Sequence, residues 1–293
     1  MSSPVASAGS DVSLAQFTPA RMLRQRLIVA IVFVPLIFAV VAYGRWVYPL
    51  MITLFMALAA LEYGQLYRRA KLRPALPLLV AGVVIICVGR AIYQFSVGPA
   101  ILAAVLLLSM TWHLVDFERG ASNSGQDFAL TVAGTLYLGW IGAYLISLRQ
   151  VPDGEWWVLL ALSSVWLADS AAFFVGKRWG KHPMAPRLSP KKTWEGYLSG
   201  VVAGAVSGAG LAALWRIGAG PLSTVTAVRG LELGLLLGVL APLGDLGISM
   251  MKREIGVKDT GGLVPGHGGA LDRTDSWVWA GVIAYYFVTF FTI

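Results

Sequence analysis

Carboxylates, basic side chains and glycines are concentrated in one stretch, residues 242–277, of an otherwise apolar sequence. Five of the fifteen acidic residues of the chain lie there: Asp245, Glu254, Asp259, Asp272 and Asp275. Basic residues alternate with them at Lys252, Arg253, Lys258 and Arg273. Carboxylates are ligands that Mg²⁺ prefers, Lys and Arg neutralise phosphate oxygens, and glycine-rich backbone exposes N–H donors to anions. The stretch therefore predicts a site for a metal ion and phosphate groups.

Helical spacing groups several of these residues. Asp245, Ser249 and Lys252 lie at i, i+4 and i+7, so a helix would present all three on one face. Asp272 and Asp275 lie three residues apart at the start of the last apolar run, where they would form a second carboxylate pair. The alternative is a solvated, salt-bridged loop between membrane helices. Such a loop would not need charge inside an apolar run, so we favour a functional site.

The same stretch resembles the signature of the phosphatidate cytidylyltransferases, also called CDP-diacylglycerol synthases. The resemblance rests on polar and glycine positions at Ser249, Lys252, Arg253, Lys258, Asp259, Gly261, Pro265, His267, Gly268, Gly269, Asp272, Arg273 and Asp275. Two packing positions depart from the usual pattern, because Val264 and Ala270 stand where other apolar residues are common. Neither change affects the chemistry of the signature.

A second informative stretch begins with Asp169, an ionisable residue inside an apolar run. Such a residue is costly in a membrane and indicates function, although a hydrogen bond in helix packing is the alternative. The loop that follows also resembles the family, through Gly176-Lys177, Gly180-Lys181 and the run from Ser189 to Gly196. Its glycine–lysine spacing is one residue short of a Walker A loop and does not open a helix after a strand, which excludes a P-loop.

The resemblance implies that CTP and phosphatidate react to give CDP-diacylglycerol and pyrophosphate. Mg²⁺ is the expected metal ion, and two-metal catalysis is a hypothesis in which the second ion is not identified. The resemblance places the metal ligands at Asp245 and Asp272. The expected catalytic residues are Asp245, Asp272, Asp169, Lys252 and His267. The expected substrate-binding residues are Ser249, Arg253, Lys258, Asp259, Arg273, Asp275, Lys191 and Lys192. A phosphate monoester with a second pKa near ~6 is already ionised at neutral pH, so His267 is expected to orient a phosphate or leaving group.

The elements that position these residues are membrane helices. The chain is 57% hydrophobic and 13% charged, far from the composition of a soluble domain. Apolar runs near the ~20 residues that cross a bilayer predict an all-α, polytopic membrane protein with about nine helices. They cover residues 27–43, 46–62, 76–93, 96–115, 128–148, 156–176, 197–215, 231–251 and 276–293.

The distribution of basic residues predicts the orientation of these helices. With nine spans and an inner N-terminus, eighteen of the 23 Lys and Arg residues fall in the N-terminal segment and the loops 63–75, 116–127, 177–196 and 252–275. Lys and Arg concentrate in cytoplasmic loops, so the polar site is expected at the cytoplasmic face of a bacterial inner membrane. The net charge of +8 suits anionic headgroups and nucleotide phosphates, and no nucleic acid is expected as partner.

One membrane domain, residues 21–293, follows a predicted disordered tail, residues 1–20, and contains the catalytic region at about 165–277. No internal repeat divides it. Gly200, Gly204 and Gly208 form a small-x-x-x-small pattern, which is compatible with packing inside one chain or across a homodimer.

Two other classes remain as alternatives. A secondary transporter would place polar residues near the midplane and show repeat symmetry, in place of one charged face. A polyprenol kinase of related architecture would keep the basic loops without the whole signature around His267, Asp272 and Asp275. A scaffold is the least favoured class, since it does not need carboxylates among glycines.

Overall fold

Residues 35–261 and 269–291 are described by a computed structural model of the chain. The predicted tail, residues 1–20, the first part of the first predicted span and the signature residue His267 lie outside the described residues. The description therefore covers most of the predicted membrane domain and both ends of the polar stretch.

The described chain is mostly helical. Its first half forms α1 (35–43), α2 (Val47–Arg69), α3 (Leu76–Tyr93), α4 (Gly98–Glu118), α5 (Ser124–Gly134), a π-helix (Thr135–Ile141) and α6 (Tyr144–Gln150). Its second half forms α7 (Gly154–Trp179), β1 (Pro183–Ala185), β2 (Ser189–Thr193), α8 (Trp194–Ala219), α9 (Ala227–Leu240), α10 (Pro242–Glu254) and α11 (Leu271–Phe291). The strands form an antiparallel hairpin, which the all-α prediction treated as loop.

Seven helical units among the described residues are long and apolar enough to cross a membrane, and they correspond to the second to eighth predicted spans. The π-helix joins α5 and α6 into one unit, Ser124–Gln150, and α9 and α10 form another, Ala227–Glu254. The ninth predicted run lies in the helix α11, which carries Asp272, Arg273 and Asp275 near its start and is not among these seven units. These charges leave α11 less apolar than the seven. The protein is thus a polytopic integral membrane protein.

Local sequence signals explain several helix boundaries. Thr193 and Thr226 precede α8 and α9, and their hydroxyl oxygens accept hydrogen bonds from the N–H groups of Gly196 and Arg229. Pro242 is the first residue of α10 and has no N–H to donate to the preceding turn, so the hydrogen-bond ladder of α9 is interrupted there. The interruption starts a new helix three residues before Asp245.

Loop contacts show that the connections lie at two ends of the bundle. At one end, the N–H of Arg73 donates to Asp127 Oδ1 at 2.6 Å, and Arg253 Nε donates to the carbonyl of Leu188 at 3.2 Å. At the other end, Arg149 Nε donates to the carbonyl of Val41 at 2.9 Å. We call the first the site end, since both polar stretches of the sequence lie there.

Glycines let α8 pack against its neighbours within the same chain. A methyl group at Gly204 or Gly208 would overlap the backbone of α9 at Gly234 or Gly230. On the other side, Gly200 lies against the backbone carbonyl of Ala168 on α7. The small-x-x-x-small pattern therefore joins helices inside the monomer, and it leaves the prediction of a homodimer untouched.

The α8–α9 packing predicts that substitutions at two glycines of α8 differ in their effect on stability. Gly208→Val should destabilise the protein by roughly 1–3 kcal/mol, because the new side chain overlaps the α9 backbone. Gly210→Val is the matched control, since a methyl group there meets no atom within 4 Å. Thermal unfolding in detergent should show a lower Tm for the first variant. Equal Tm values for both would contradict the packing.

Candidate functional site

Three carboxylates from three helices lie near one another at the site end. Asp169 on α7, Asp245 on α10 and Asp275 on α11 are close enough that the charge of each acts on another member of the group. We call them the acidic cluster. Asp275 is buried, and its Oδ1 accepts a hydrogen bond from the N–H of Ser276 at 2.6 Å. Like charges repel one another, so such a cluster requires cations nearby.

A glycine brings two of these helices together. A methyl group at Gly244 on α10 would overlap the backbone carbonyl of Asp275 on α11. This close approach places Asp245, the next residue on α10, beside Asp275. Ser249 and Lys252 follow on the same helix, both buried, as the predicted i, i+4, i+7 face requires. The helical spacing read from the sequence is confirmed for these three residues.

The hairpin supplies a cation to the cluster. Lys192 Nζ forms an ion pair with Asp245 Oδ2. Successive side chains of a strand point to opposite faces, so Lys191 on the same strand is directed away from Asp245 and is exposed. The sequence could not separate these two lysines. The structure gives them different surroundings.

Glycines also fix the hairpin to the helix that carries Asp169. Gly180, just after α7, has no room for a methyl group beside the Thr193 side chain, and Gly176 lies against Gly196. Arg253 ties the other side of the hairpin to α10, because its Nη1 donates to the carbonyl of Val257 at 3.1 Å while its Nε bonds Leu188. Arg253, expected to bind phosphate, thus also braces the hairpin.

Asp272 has a different set of partners from Asp245. Its Oδ1 accepts a hydrogen bond from Lys252 Nζ at 2.6 Å, in an ion pair whose side chains are 11% and 9% exposed. Its Oδ2 accepts from the N–H of Thr260 at 3.1 Å, the hydroxyl of Thr260 at 3.0 Å and the N–H of Gly269 at 3.1 Å. Each of the two carboxylates predicted to share Mg²⁺ is therefore paired with its own lysine.

The remaining predicted residues lie at the surface or outside the described chain. Lys258, Asp259 and Arg273 are exposed, and His267 is outside the described residues. Lys258 and Asp259 are close in sequence to Thr260, so they flank the partners of Asp272.

Sequence reasoning missed Glu62. This residue of α2 is 4% exposed, and its Oε2 accepts a hydrogen bond from the N–H of Leu271 at 2.9 Å. The same oxygen lies 3.1 Å from the hydroxyl of Thr260, whose single proton it shares with Asp272. The predicted second span ended at residue 62, where a carboxylate at the membrane surface is ordinary. The helix continues to Arg69, two turns further, and this places Glu62 inside it.

The donor set suits a hard divalent cation. Carboxylate oxygens are the usual protein ligands of Mg²⁺, which takes only one or two of them and keeps several waters. Within 35–261 and 269–291, no group of three His, Cys, Asp or Glu side chains is already arranged around one metal position. Asp245, whose side chain is 36% exposed, and Asp169, which is also exposed, are the carboxylates of the acidic cluster that are open to such an ion.

Basic side chains surround a carboxylate cluster at one end of an apolar helical bundle, an arrangement that suits the binding of phosphate groups by a membrane protein. The sequence profile of the Cytidylyltransferase family matches residues 24–291. The chain belongs to this family, and it is a nucleotidyltransferase.

Curated relatives share this similarity over most of their length. A phosphatidate cytidylyltransferase of Synechocystis sp. is 32% identical, over 90% of this chain and 96% of the relative. One of Brucella suis is 34% identical over 73% of this chain and 72% of the relative, and one of Mycobacterium bovis is 29% identical over 92% and 89%. The similarity therefore spans both polar stretches and the helices between them.

The hairpin geometry predicts unequal roles for adjacent lysines. Lys192→Ala should lower the rate of cytidylyl transfer about tenfold or more, because it removes the ammonium group beside Asp245 that can neutralise a phosphate. Lys191→Ala is the matched control and should lower the rate less than about threefold, the effect expected for an exposed charge. Rates are compared per amount of folded protein in detergent. A larger loss at Lys191 than at Lys192 would refute the assignment of the strand faces.

Proposed function

We propose that this protein transfers CMP from CTP to phosphatidate, giving CDP-diacylglycerol and pyrophosphate for phospholipid biosynthesis. The proposal rests on the match to phosphatidate cytidylyltransferases across nearly the whole chain. The structure adds physical support, since it groups the acidic cluster with Lys192 and Lys252 at the end of a membrane bundle.

The basic residues of the site can reduce the charge repulsion that opposes this reaction. A phosphate oxygen of the lipid attacks the α-phosphorus of CTP, a new P–O bond forms, and the bond to the β-phosphate oxygen breaks. Two polyanions must meet for this step, and their repulsion has to be neutralised. We assign that role to Lys192, Lys252 and Arg253, with Lys258, Arg273 and Lys191 at the rim. The lipid phosphate is already ionised, so no strong general base is needed.

Two lysines of the site form ion pairs with carboxylates. Lys192 pairs with Asp245, and Lys252 with Asp272. Substrate phosphates compete with these carboxylates for the same ammonium groups. We infer that phosphate binding draws the lysines toward the substrate and releases carboxylate oxygens, while Ser249, next to Lys252, donates a hydrogen bond to phosphate.

We further propose that Asp245 and Asp272 hold Mg²⁺, with Asp169 and Asp275 of the acidic cluster, and Asp259, as further acidic groups. Bound Mg²⁺ would neutralise and orient phosphate oxygens of the nucleotide. A second cation is compatible with the excess of carboxylates. His267 is proposed to orient a phosphate or the leaving pyrophosphate on the basis of the sequence signature.

The proposed topology has nine spans and a site that faces the cytoplasm of a bacterial cell. Its support is the excess of Lys and Arg in the loops at the site end. CTP would then approach from the cytoplasm, while phosphatidate would reach the site laterally from the membrane. A homodimer stays a prediction.

The function is tested with purified protein in detergent, labelled CTP, phosphatidate and Mg²⁺. A labelled product that is lipid-soluble and retains the cytidine is expected, together with one pyrophosphate per lipid formed. Dolichol or undecaprenol in place of phosphatidate serves as control for a polyprenol kinase. Transfer to a polyprenol, without reaction of phosphatidate, would refute the proposal.

The proposed metal site predicts how two substitutions combine. Asp245→Asn and Asp272→Asn should each nearly abolish Mg²⁺-dependent turnover, and the double variant should be little worse, because residues that act as a unit are not additive. Turnover is measured for all four proteins of the cycle. Losses that multiply, or one variant with near wild-type turnover, would remove the shared ion and leave separate salt-bridge roles.

The proposed orientation predicts which loops an impermeant reagent can reach. Ser189→Cys at the site end should resist an impermeant maleimide in intact cells and react after permeabilisation. Ser96→Cys, exposed at the α3–α4 connection of the opposite end, should react in intact cells. The native Cys87 is buried and gives little background. The reverse pattern would place the site outside.

A further inference from the structure

Glu62 links the first half of the chain to the polar stretch at the end of the chain. Its Oε2 accepts two hydrogen bonds, one from Thr260, 198 residues away, and one from Leu271, 209 residues away. Thr260 in turn bonds Asp272 through its N–H, and its single hydroxyl proton is shared between Glu62 Oε2 and Asp272 Oδ2. The connection from α2 to Asp272, a proposed catalytic carboxylate, therefore runs from Glu62 through Thr260.

The backbone around Glu62 is shaped to receive its carboxylate. A methyl group at Gly261 or Gly269 would overlap the carboxylate oxygens, so these glycines allow the chain to pass directly against the side chain. Leu271 is the first residue of α11, whose N-terminal N–H groups carry partial positive charge. The buried carboxylate receives its hydrogen bonds there at Oε2, from the N–H of Leu271 and the hydroxyl of Thr260.

We propose that Glu62 is a positioning residue for cytidylyl transfer. Its carboxylate holds Thr260 and Leu271 at a fixed separation, and this arrangement directs Asp272 toward Lys252. Glu62 does not touch the proposed substrates in this role. It acts through Thr260 and the first turn of α11, so it should affect the chemical step more than the binding of CTP. The reaction itself is the one stated under the proposed function, on which this inference rests.

Two substitutions of Glu62 separate the hydrogen bonds from the packing. Glu62→Met keeps most of the volume and removes both acceptor bonds, whereas Glu62→Gln keeps an oxygen that can accept them. We expect Glu62→Met to lower kcat about tenfold or more, with KM for CTP changed less than about threefold. Glu62→Gln should restore kcat to within about threefold of the wild type. Glu232→Met, at an exposed position on α9, is the control and should leave both constants unchanged.

Thr260 provides an independent pair of variants. Thr260→Val is isosteric and removes the hydroxyl, so it should reproduce the loss of kcat. Thr260→Ser retains the hydroxyl and should remain close to the wild type. The double variant Glu62→Met with Thr260→Val should be little worse than either single variant, since both substitutions break the same hydrogen bond between Thr260 and Glu62. Wild-type kcat in Glu62→Met, equal losses in the Met and Gln variants, or losses that multiply would each overturn the proposal.

Hydrogen exchange of the Leu271 amide tests the same link without catalysis. Exchange should be faster in Glu62→Met than in the wild type and in Glu62→Gln, because only the Met variant lacks an acceptor for this N–H. Unchanged protection in Glu62→Met would overturn the positioning role. If the wild-type protein formed no liponucleotide, the proposed function would fail, and the exchange measurement would still decide whether Glu62 positions this segment.

Discussion

The structure at the site end depends on compensating the charge of carboxylates at the edge of an apolar bundle. A carboxylate removed from water is costly unless it gains an ion pair or several hydrogen bonds. Here the compensation comes from distant parts of the chain: Lys192 of the hairpin serves Asp245, and Lys252 of α10 serves Asp272. Glu62 relies on N–H and hydroxyl donors. Each carboxylate therefore connects elements that are far apart in the sequence.

These pairings require helices that approach one another more closely than ordinary side chains permit. Gly204 and Gly208 bring α8 against α9, and Gly244 brings α10 against α11. Gly176, near the end of α7, holds the hairpin at the base of the helix that carries Asp169. Glycine has no Cβ, so it allows backbone contact and leaves the larger residues to face lipid. The glycines thus allow the close helix contacts that bring the charged residues of the site together.

The sequence predicted the membrane class, seven of the spans and the helix that carries Asp245, Ser249 and Lys252, because hydropathy and helical spacing are local properties. The sequence did not predict which residues pair with partners far away in the chain. Strand alternation separates Lys191 from Lys192 only once the hairpin is known. Glu62 was overlooked because the predicted span ended on it, whereas tertiary packing extends α2 to Arg69. The partners of Asp272 depend on Thr260 and Gly269, whose spacing carries no periodic signal.

The two lysine–carboxylate pairs differ in the cost of exchanging partners. Lys192 and Asp245 are 29% and 36% exposed, and a pair of this kind contributes about 0–1 kcal/mol, so water or an incoming phosphate can replace either partner easily. Lys252 and Asp272 are 11% and 9% exposed, and removing one partner of a buried pair costs roughly 3–5 kcal/mol. Separation of the second pair therefore needs replacement partners that arrive together, a cation for Asp272 and a phosphate for Lys252. On the proposed function, a substrate phosphate can therefore replace Asp245 at Lys192 more easily than it can replace Asp272 at Lys252.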